Sequence, residues 1–256
     1  MSFGKDGQGK KKFSVDYHQG IGWAIDMGYG HEILTVDTLE NRLARVRERI
    51  ENACAVSRRD VAGVRLLAVT KIFGAEAIRE AYALGLRDFG ENYVQEMERK
   101  APDVADLPEA RFHLIGHLQS NKTKKAAQLF SSVDSLDSVK LAVRLNAEER
   151  PLDVMVEVKL SEEDTKSGAP EADLPAIVDA IRACGNLTLK GLMTVPPWSD
   201  DAERSRPYFA RLRELAARHA IPHLSMGMSN DLEVAIEEGA TWVRVGTALF
   251  GRRGKP

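Results

Sequence analysis

The chain has 256 residues, a formal net charge of −2, 43% hydrophobic and 29% charged residues. These figures exclude a disordered or fibrous chain, and they give no overall field that would draw the protein onto nucleic acid or an anionic membrane. No apolar run approaches the ~18 residues of a membrane-spanning helix, and Cys54 and Cys184 form neither a CxxC nor a metal-ligand spacing, so a reducing, cytoplasmic setting is expected.

Residues 1–34 combine glycine, lysine and scattered aromatics without a clear period. They lack the apolar segment followed by small residues that marks a secretory signal. They are read as a flexible N-terminal extension in which Lys10-Lys11-Lys12 is a solvated run. Residues 35–256 alternate short β-rich runs with longer amphipathic stretches, the rhythm of a parallel sheet wrapped by helices. A first helix is predicted over 36–56, where Leu39, Leu43, Val46 and Ile50 recur at helical spacing. The first strand follows at 64–69. Further strands are predicted near 88–89, 112–115, 132–133, 154–160, 189–193, 223–225 and 242–245. Amphipathic helices are predicted near 75–84, 93–100, 122–130, 138–148, 174–183, 202–219 and 230–238. About eight β units suit a single (β/α)8 TIM barrel. An open doubly wound sheet alternates in the same way, so the period alone leaves closure undecided.

In a parallel barrel the reactive groups gather on the loops after the carboxyl ends of the strands. Lys71 stands there, just beyond the first apolar run. Partial desolvation of an amine lowers its pKa and frees it to attack an aldehyde, although a lysine that simply ends a strand in water fits the same position. Leu224-Ser225-Met226-Gly227-Met228-Ser229-Asn230 runs into a predicted helix, and Val245-Gly246-Thr247 follows the last strand. Amides and hydroxyls converging at a helix start suit a phosphate, and the loops after strands seven and eight are where this architecture commonly holds one. The plainer alternative is that Ser229 or Asn230 only caps the helix.

Arg244 lies in an apolar strand, where a buried guanidinium needs a partner. That partner is either a barrel carboxylate such as Glu157 or the ring nitrogen of a cofactor, which arginine would keep unprotonated and so a weaker electron sink. Asn92 and His117 follow the second and third strands and either touch a ligand or fix their loops. Lys122, Lys124 and Lys125 form a basic helix face, and Lys166 offers another cation on a charged loop.

Taken together, Leu67-Ala68-Val69-Thr70-Lys71, Gly90-Glu91-Asn92-Tyr93-Val94-Gln95-Glu96, Phe112-His113-Leu114-Ile115-Gly116-His117-Leu118-Gln119-Ser120-Asn121-Lys122, Ser225-Met226-Gly227-Met228-Ser229 and Val243-Arg244-Val245-Gly246-Thr247 resemble the pyridoxal phosphate homeostasis protein family. The resemblance runs from about Thr35 to Arg253. It implies a barrel like the N-terminal domain of alanine racemase, with pyridoxal 5′-phosphate (PLP) held as a Schiff base on Lys71. It implies phosphate contacts from Ser225, Gly227, Ser229, Gly246 and Thr247, a ring-nitrogen contact from Arg244, and cofactor contacts from Asn92 and Lys166.

The implied role is to hold, buffer or supply PLP, with PLP and PLP-dependent apo-enzymes as partners, no metal, no membrane and no nucleic acid. An amino-acid racemase and a cofactor-free barrel enzyme acting on a phosphorylated metabolite are the alternatives. Racemisation needs a proton-transferring group on each face of the substrate carbon, and Lys71 supplies one. The second group of racemase relatives lies on a further β-domain for which no segment is predicted here, so a monomer without dedicated turnover is expected.

Overall fold

A computed structural model describes residues 37–161, 163 and 167–251, together with the backbone of three strands nearer the amino terminus. The chain divides into two compact units, Met1–Asn41 and Arg42–Pro256. In the first unit, strands Ser2–Lys5, Lys11–Tyr17 and Gly20–Ile25 pair antiparallel in that order. Residues 1–34, expected as a flexible extension, thus include a small antiparallel sheet.

The second unit is built on eight parallel strands: β1 (Arg65–Val69), β2 (Asp88–Glu91), β3 (Arg111–Leu114), β4 (Ser132–Leu136), β5 (Leu152–Lys159), β6 (Leu187–Met193), β7 (His223–Ser225) and β8 (Trp242–Val245). Each pairs with the next in chain order, and β8 pairs with β1, setting Arg244 opposite Leu67 and Val245 opposite Ala68. That last pairing closes the sheet into a barrel. A two-residue strand, Ala169–Pro170, adds to the end of β5.

Helices α1 (Leu39–Val56), α2 (Ala75–Ala83), α3 (Val94–Lys100), α4 (Thr123–Leu129), α5 (Val139–Asn146), α6 (Leu174–Arg182), α7 (Arg206–Arg218), α8 (Leu232–Glu237) and α9 (Thr247–Phe250) surround it. The end of β1 and all of β8 are buried on both faces, which is why they read as apolar in the sequence but for Arg244. The helices bury one stripe each. On α6 that stripe is Leu174, Ile177, Val178 and Ile181, each contributing about 1.5–3 kcal/mol by leaving water. The helix after β8 is only one turn long. Its place in the outer ring is taken by α1, whose Arg47 donates to the Leu84 carbonyl after α2 (3.4 Å) and whose Arg49 pairs with Glu233 of α8 (2.8 Å).

The amino end of the barrel is filled by charge. His113 of β3 is 5% exposed and lies between Asp134 of β4 (3.1 Å) and Asp88 of β2 (3.2 Å). Arg111 grips Asp88 with two hydrogen bonds of 2.8 and 3.0 Å. The imidazole packs 5.1 Å from the Trp242 ring, whose centroid is 5.2 Å from the Arg65 guanidinium carbon. Burial alone would push the His113 pKa down, but the charge of Asp134 and the hydrogen bonds to Asp134 and Asp88 outweigh it and hold the pKa at about 9. Among the described residues no helix is long and apolar enough to cross a membrane, and no group of histidine, cysteine and carboxylate side chains is arranged to hold a metal ion.

Candidate functional site

At the carboxyl end the loops after β1, β6, β7 and β8 enclose a cavity of about 460 Å³, within the usual range for a small-molecule site. Lys71, Ser229, Arg244, Gly246 and Thr247 all line it. Val69, Ile115 and Met228 supply apolar wall, and Trp198, 74% exposed, stands at its edge. The structure thus brings together residues from positions 71 to 247 that the sequence singled out separately.

Lys71 lies on a tight turn. Phe73 N–H donates to the Thr70 carbonyl at 3.1 Å, and the third residue, Ile72, has φ 68°. That position of a type II turn ordinarily calls for glycine. A β-branched residue there is strained by about 1–3 kcal/mol, so its surroundings must hold it.

Arg244 is 3% exposed. Its Nη1 donates to the Ser225 carbonyl (2.6 Å) and Oγ (2.9 Å), and its Nη2 to the Thr194 carbonyl (2.8 Å). Burial pulls its pKa below the usual arginine value, against the charges of Glu157, Asp231 and Asp134. The sequence left open a salt bridge to Glu157, but the guanidinium is oriented by neutral oxygens. These bonds use three of the five guanidinium N–H groups on a side chain that also lines the cavity. Ser225 itself is fully buried, so it supports Arg244 and does not line the cavity.

Gly227 makes the next turn possible. Its φ is 88°, and a Cβ there would lie 2.4 Å from the Ala235 Cβ, so both backbone angle and space demand glycine. Asp231 braces the same loop, accepting from Met228 N–H (2.7 Å) and from Ser205 Oγ (2.8 Å). Ser229 does not cap α8. Its Oγ instead accepts from Ala248 N–H at 3.2 Å, joining the loops after β7 and β8. The first turn of any helix leaves amides without partners inside the helix, so the start of α9 beside Ser229 sets donors where an anion is favoured.

Asn92 lines a neighbouring cavity of about 480 Å³ with His117, Lys122 and Glu157, and Ile115 lines both cavities. A Cβ on Gly116 would lie 2.2 Å from the Asn92 carbonyl oxygen, so glycine lets the loops after β2 and β3 touch. His117 lies 3.4 Å from Asp137, and Lys125 pairs with Glu98 at 2.8 Å on the outer surface. Lys166 lies outside the described residues. Trp198 and Asp231 were missed by sequence reasoning, because neither follows a strand directly and no local spacing marks them.

The cavity fits a planar aromatic aldehyde with a phosphate. It offers an amine on one loop, a buried cation beside apolar wall, and hydroxyl and amide donors on two others.

A family model described as alanine racemase, N-terminal domain, matches residues 37–254. The pyridoxal phosphate homeostasis protein of Pseudomonas aeruginosa is 48% identical over 225 residues, covering 85% of this chain and 97% of the relative. That of Aquifex aeolicus is 43% identical, covering 83% and 97%. Among solved structures, PipY of Synechococcus elongatus PCC7942 with PLP bound superimposes with a TM-score of 0.74 at 39% identity, over 84% of this chain and 100% of PipY.

Proposed function

The chain belongs to the pyridoxal phosphate homeostasis protein family, and from that premise we propose that it binds PLP and serves intracellular PLP homeostasis by holding, buffering or supplying the cofactor. One observation carries the assignment of the site: Lys71, Ser229, Arg244, Gly246 and Thr247, drawn from three loops and one strand, line a single cavity. Bound PLP supplies an aldehyde that an amine can hold as a Schiff base, and a pyridine ring whose electron demand depends on its nitrogen.

In this reading Lys71 provides the amine. Ser229 and the turn at Gly246 and Thr247 bind the phosphate, with Gly227 shaping that pocket and Ser225 holding Arg244 in place. Arg244, which does not give up its proton, faces the ring nitrogen and keeps it unprotonated. That arrangement favours retention of the cofactor over carbanion chemistry. Asn92, across Ile115, and Lys166 are assigned to cofactor handling. The protein acts as a cytoplasmic monomer that passes PLP to apo-enzymes. Cys54 and Cys184 are free thiols whose pKa values burial raises, in keeping with a reducing setting.

Borohydride reduction of the PLP-loaded protein followed by peptide mapping tests the assignment. A pyridoxyl group on Lys71 is expected. Its appearance only on other lysines, or on none, rules the assignment out. Rapid PLP-dependent racemisation across an amino-acid panel would replace the carrier reading with the racemase one.

A further inference from the structure

Behind Lys71 lies a buried ionic network separate from the cavity wall. Glu91, the last residue of β2, is fully buried, and Lys100, the last residue of α3, is 7% exposed. Lys100 Nζ donates to Glu91 Oε1 (2.8 Å) and Oε2 (3.0 Å), and lies 2.8 Å from Glu96 one helical turn earlier. It also donates to the Thr70 carbonyl at 3.0 Å. Thr70 Oγ1 donates to Glu91 Oε1 at 2.7 Å, and the Ile72 amide donates to the Glu96 carboxylate.

The two peptide groups flanking the Lys71 Cα are therefore both bonded to charged side chains of α3, one through the Thr70 carbonyl and the other through the Ile72 N–H. A buried carboxylate–ammonium pair is a poor way to stabilise a fold, because apolar side chains of similar volume often do as well or better. Apolar side chains cannot bond two peptide groups, and they cannot satisfy the amide of a β-branched residue held at φ 68°.

We propose that Glu91, Glu96 and Lys100 are positioning residues for Lys71, fixing the peptide planes on either side of its Cα and so setting how its amine meets the cavity. This rests on Lys71 as the cofactor-bearing lysine. Glu91 also directly precedes Asn92, so the same anchor fixes where the loop after β2 leaves the barrel.

The test uses the full 256-residue chain, free of PLP for labelling and loaded with PLP for release. Reductive dimethylation, quantified lysine by lysine by mass spectrometry over a pH series, reads the Lys71 amine independently of any cofactor. The variants are Glu96→Ala, Glu96→Gln, and Glu91→Leu with Lys100→Met, the last replacing the pair by apolar side chains so that the fold is kept. Glu96→Ala and the double variant are expected to change the Lys71 labelling rate, and to speed PLP release from loaded protein, by about tenfold. Lys125 and Lys190, on the outer surface, should label as in wild type. Glu96→Gln keeps an acceptor for Ile72 N–H and should stay near wild type. Folded variants whose Lys71 labelling and PLP release both match wild type overturn the positioning role. Wild-type protein that gives no pyridoxyl-Lys71 on reduction overturns the cofactor assignment instead, and the labelling still decides the positioning.

Discussion

Charged side chains are buried at both ends of the barrel, and the two ends use them differently. At the amino end His113 stands between Asp88 and Asp134, and Arg111 grips Asp88, so each charge is answered by another. At the carboxyl end Arg244 is equally buried, but its bonds go to two carbonyls and a hydroxyl. Neutral acceptors orient a guanidinium without cancelling its charge. The closed set at the amino end leaves little field for a ligand, as does the Glu91–Lys100 pair behind Lys71, whereas a guanidinium bonded to neutral groups faces whatever enters the cavity. The His113 cluster and the cation that faces the cavity thus lie at opposite ends of the barrel.

That separation predicts effects that do not mix. The largest effect on binding belongs to Lys71→Ala, which should lower retention of PLP through gel filtration by about 100-fold or more. Its melting temperature should stay within about 2 °C of wild type, because a half-buried loop side chain carries little of the fold. A large fall in melting temperature would show that the two ends are not independent. At the other end, His113→Phe leaves Asp88 and Asp134 without their shared cation and should cost about 3–5 kcal/mol in urea unfolding. Its PLP affinity should change by less than about twofold at a denaturant-free, fully folded point.

Gly227→Ala falls between these. The strained φ and the clash with Ala235 should cost about 1–3 kcal/mol. The variant should also narrow the affinity gap between PLP and pyridoxal, which lacks the phosphate. An unchanged gap would detach this turn from phosphate binding.

The last effect is a pH slope. The His113 pKa is held at about 9 in the fold, above its ordinary 6.5. The folded state therefore binds this proton more tightly than the unfolded chain. The resulting stability is complete below about pH 6.5 and is lost as pH rises through about 9. Thermal unfolding of wild type should weaken across that window more steeply than that of His113→Phe. Equal slopes would mean that another group titrates there.

Much of this was legible in the sequence. All eight strands lie near their predicted positions; the end of β1 and β5 were marked by apolar runs, whereas β2 and β4 carry buried polar residues and were marked chiefly by their place between helices. Lys71 and the turns at 225–230 and 245–247 were singled out because they stand just beyond strand ends, and the fold brings Lys71, Ser229, Gly246 and Thr247 to one cavity. Closure was not legible, since pairing of β8 with β1 leaves no local mark. Nor were the bonds that orient Arg244: its burial called for a barrel carboxylate or a cofactor nitrogen, and only the fold brings the carbonyls of Thr194 and Ser225 within reach. Lys100 ends a predicted helix four residues after Glu96, and that spacing does not distinguish a buried pair from a surface one. Its burial depends on how α3 packs over the loop after β1, which no single segment encodes. The antiparallel strands within residues 1–34 were missed although Phe13, Val15 and Tyr17 alternate with Ser14 and Asp16, because that short alternation stands among glycines and lysines.

The seam between β1 and β8 has a consequence for how the protein is made. The lysine-bearing turn leaves the first strand of the barrel, while Arg244, Gly246 and Thr247 arrive with the last. A ribosome therefore exposes the amine long before the residues assigned to grip the phosphate have been translated, and no contiguous fragment shorter than residues 71–247 contains them all. Capture of a reactive aldehyde is thereby tied to ring closure: a half-synthesised barrel carries the lysine but not the pocket, and only the finished one can take custody of the cofactor.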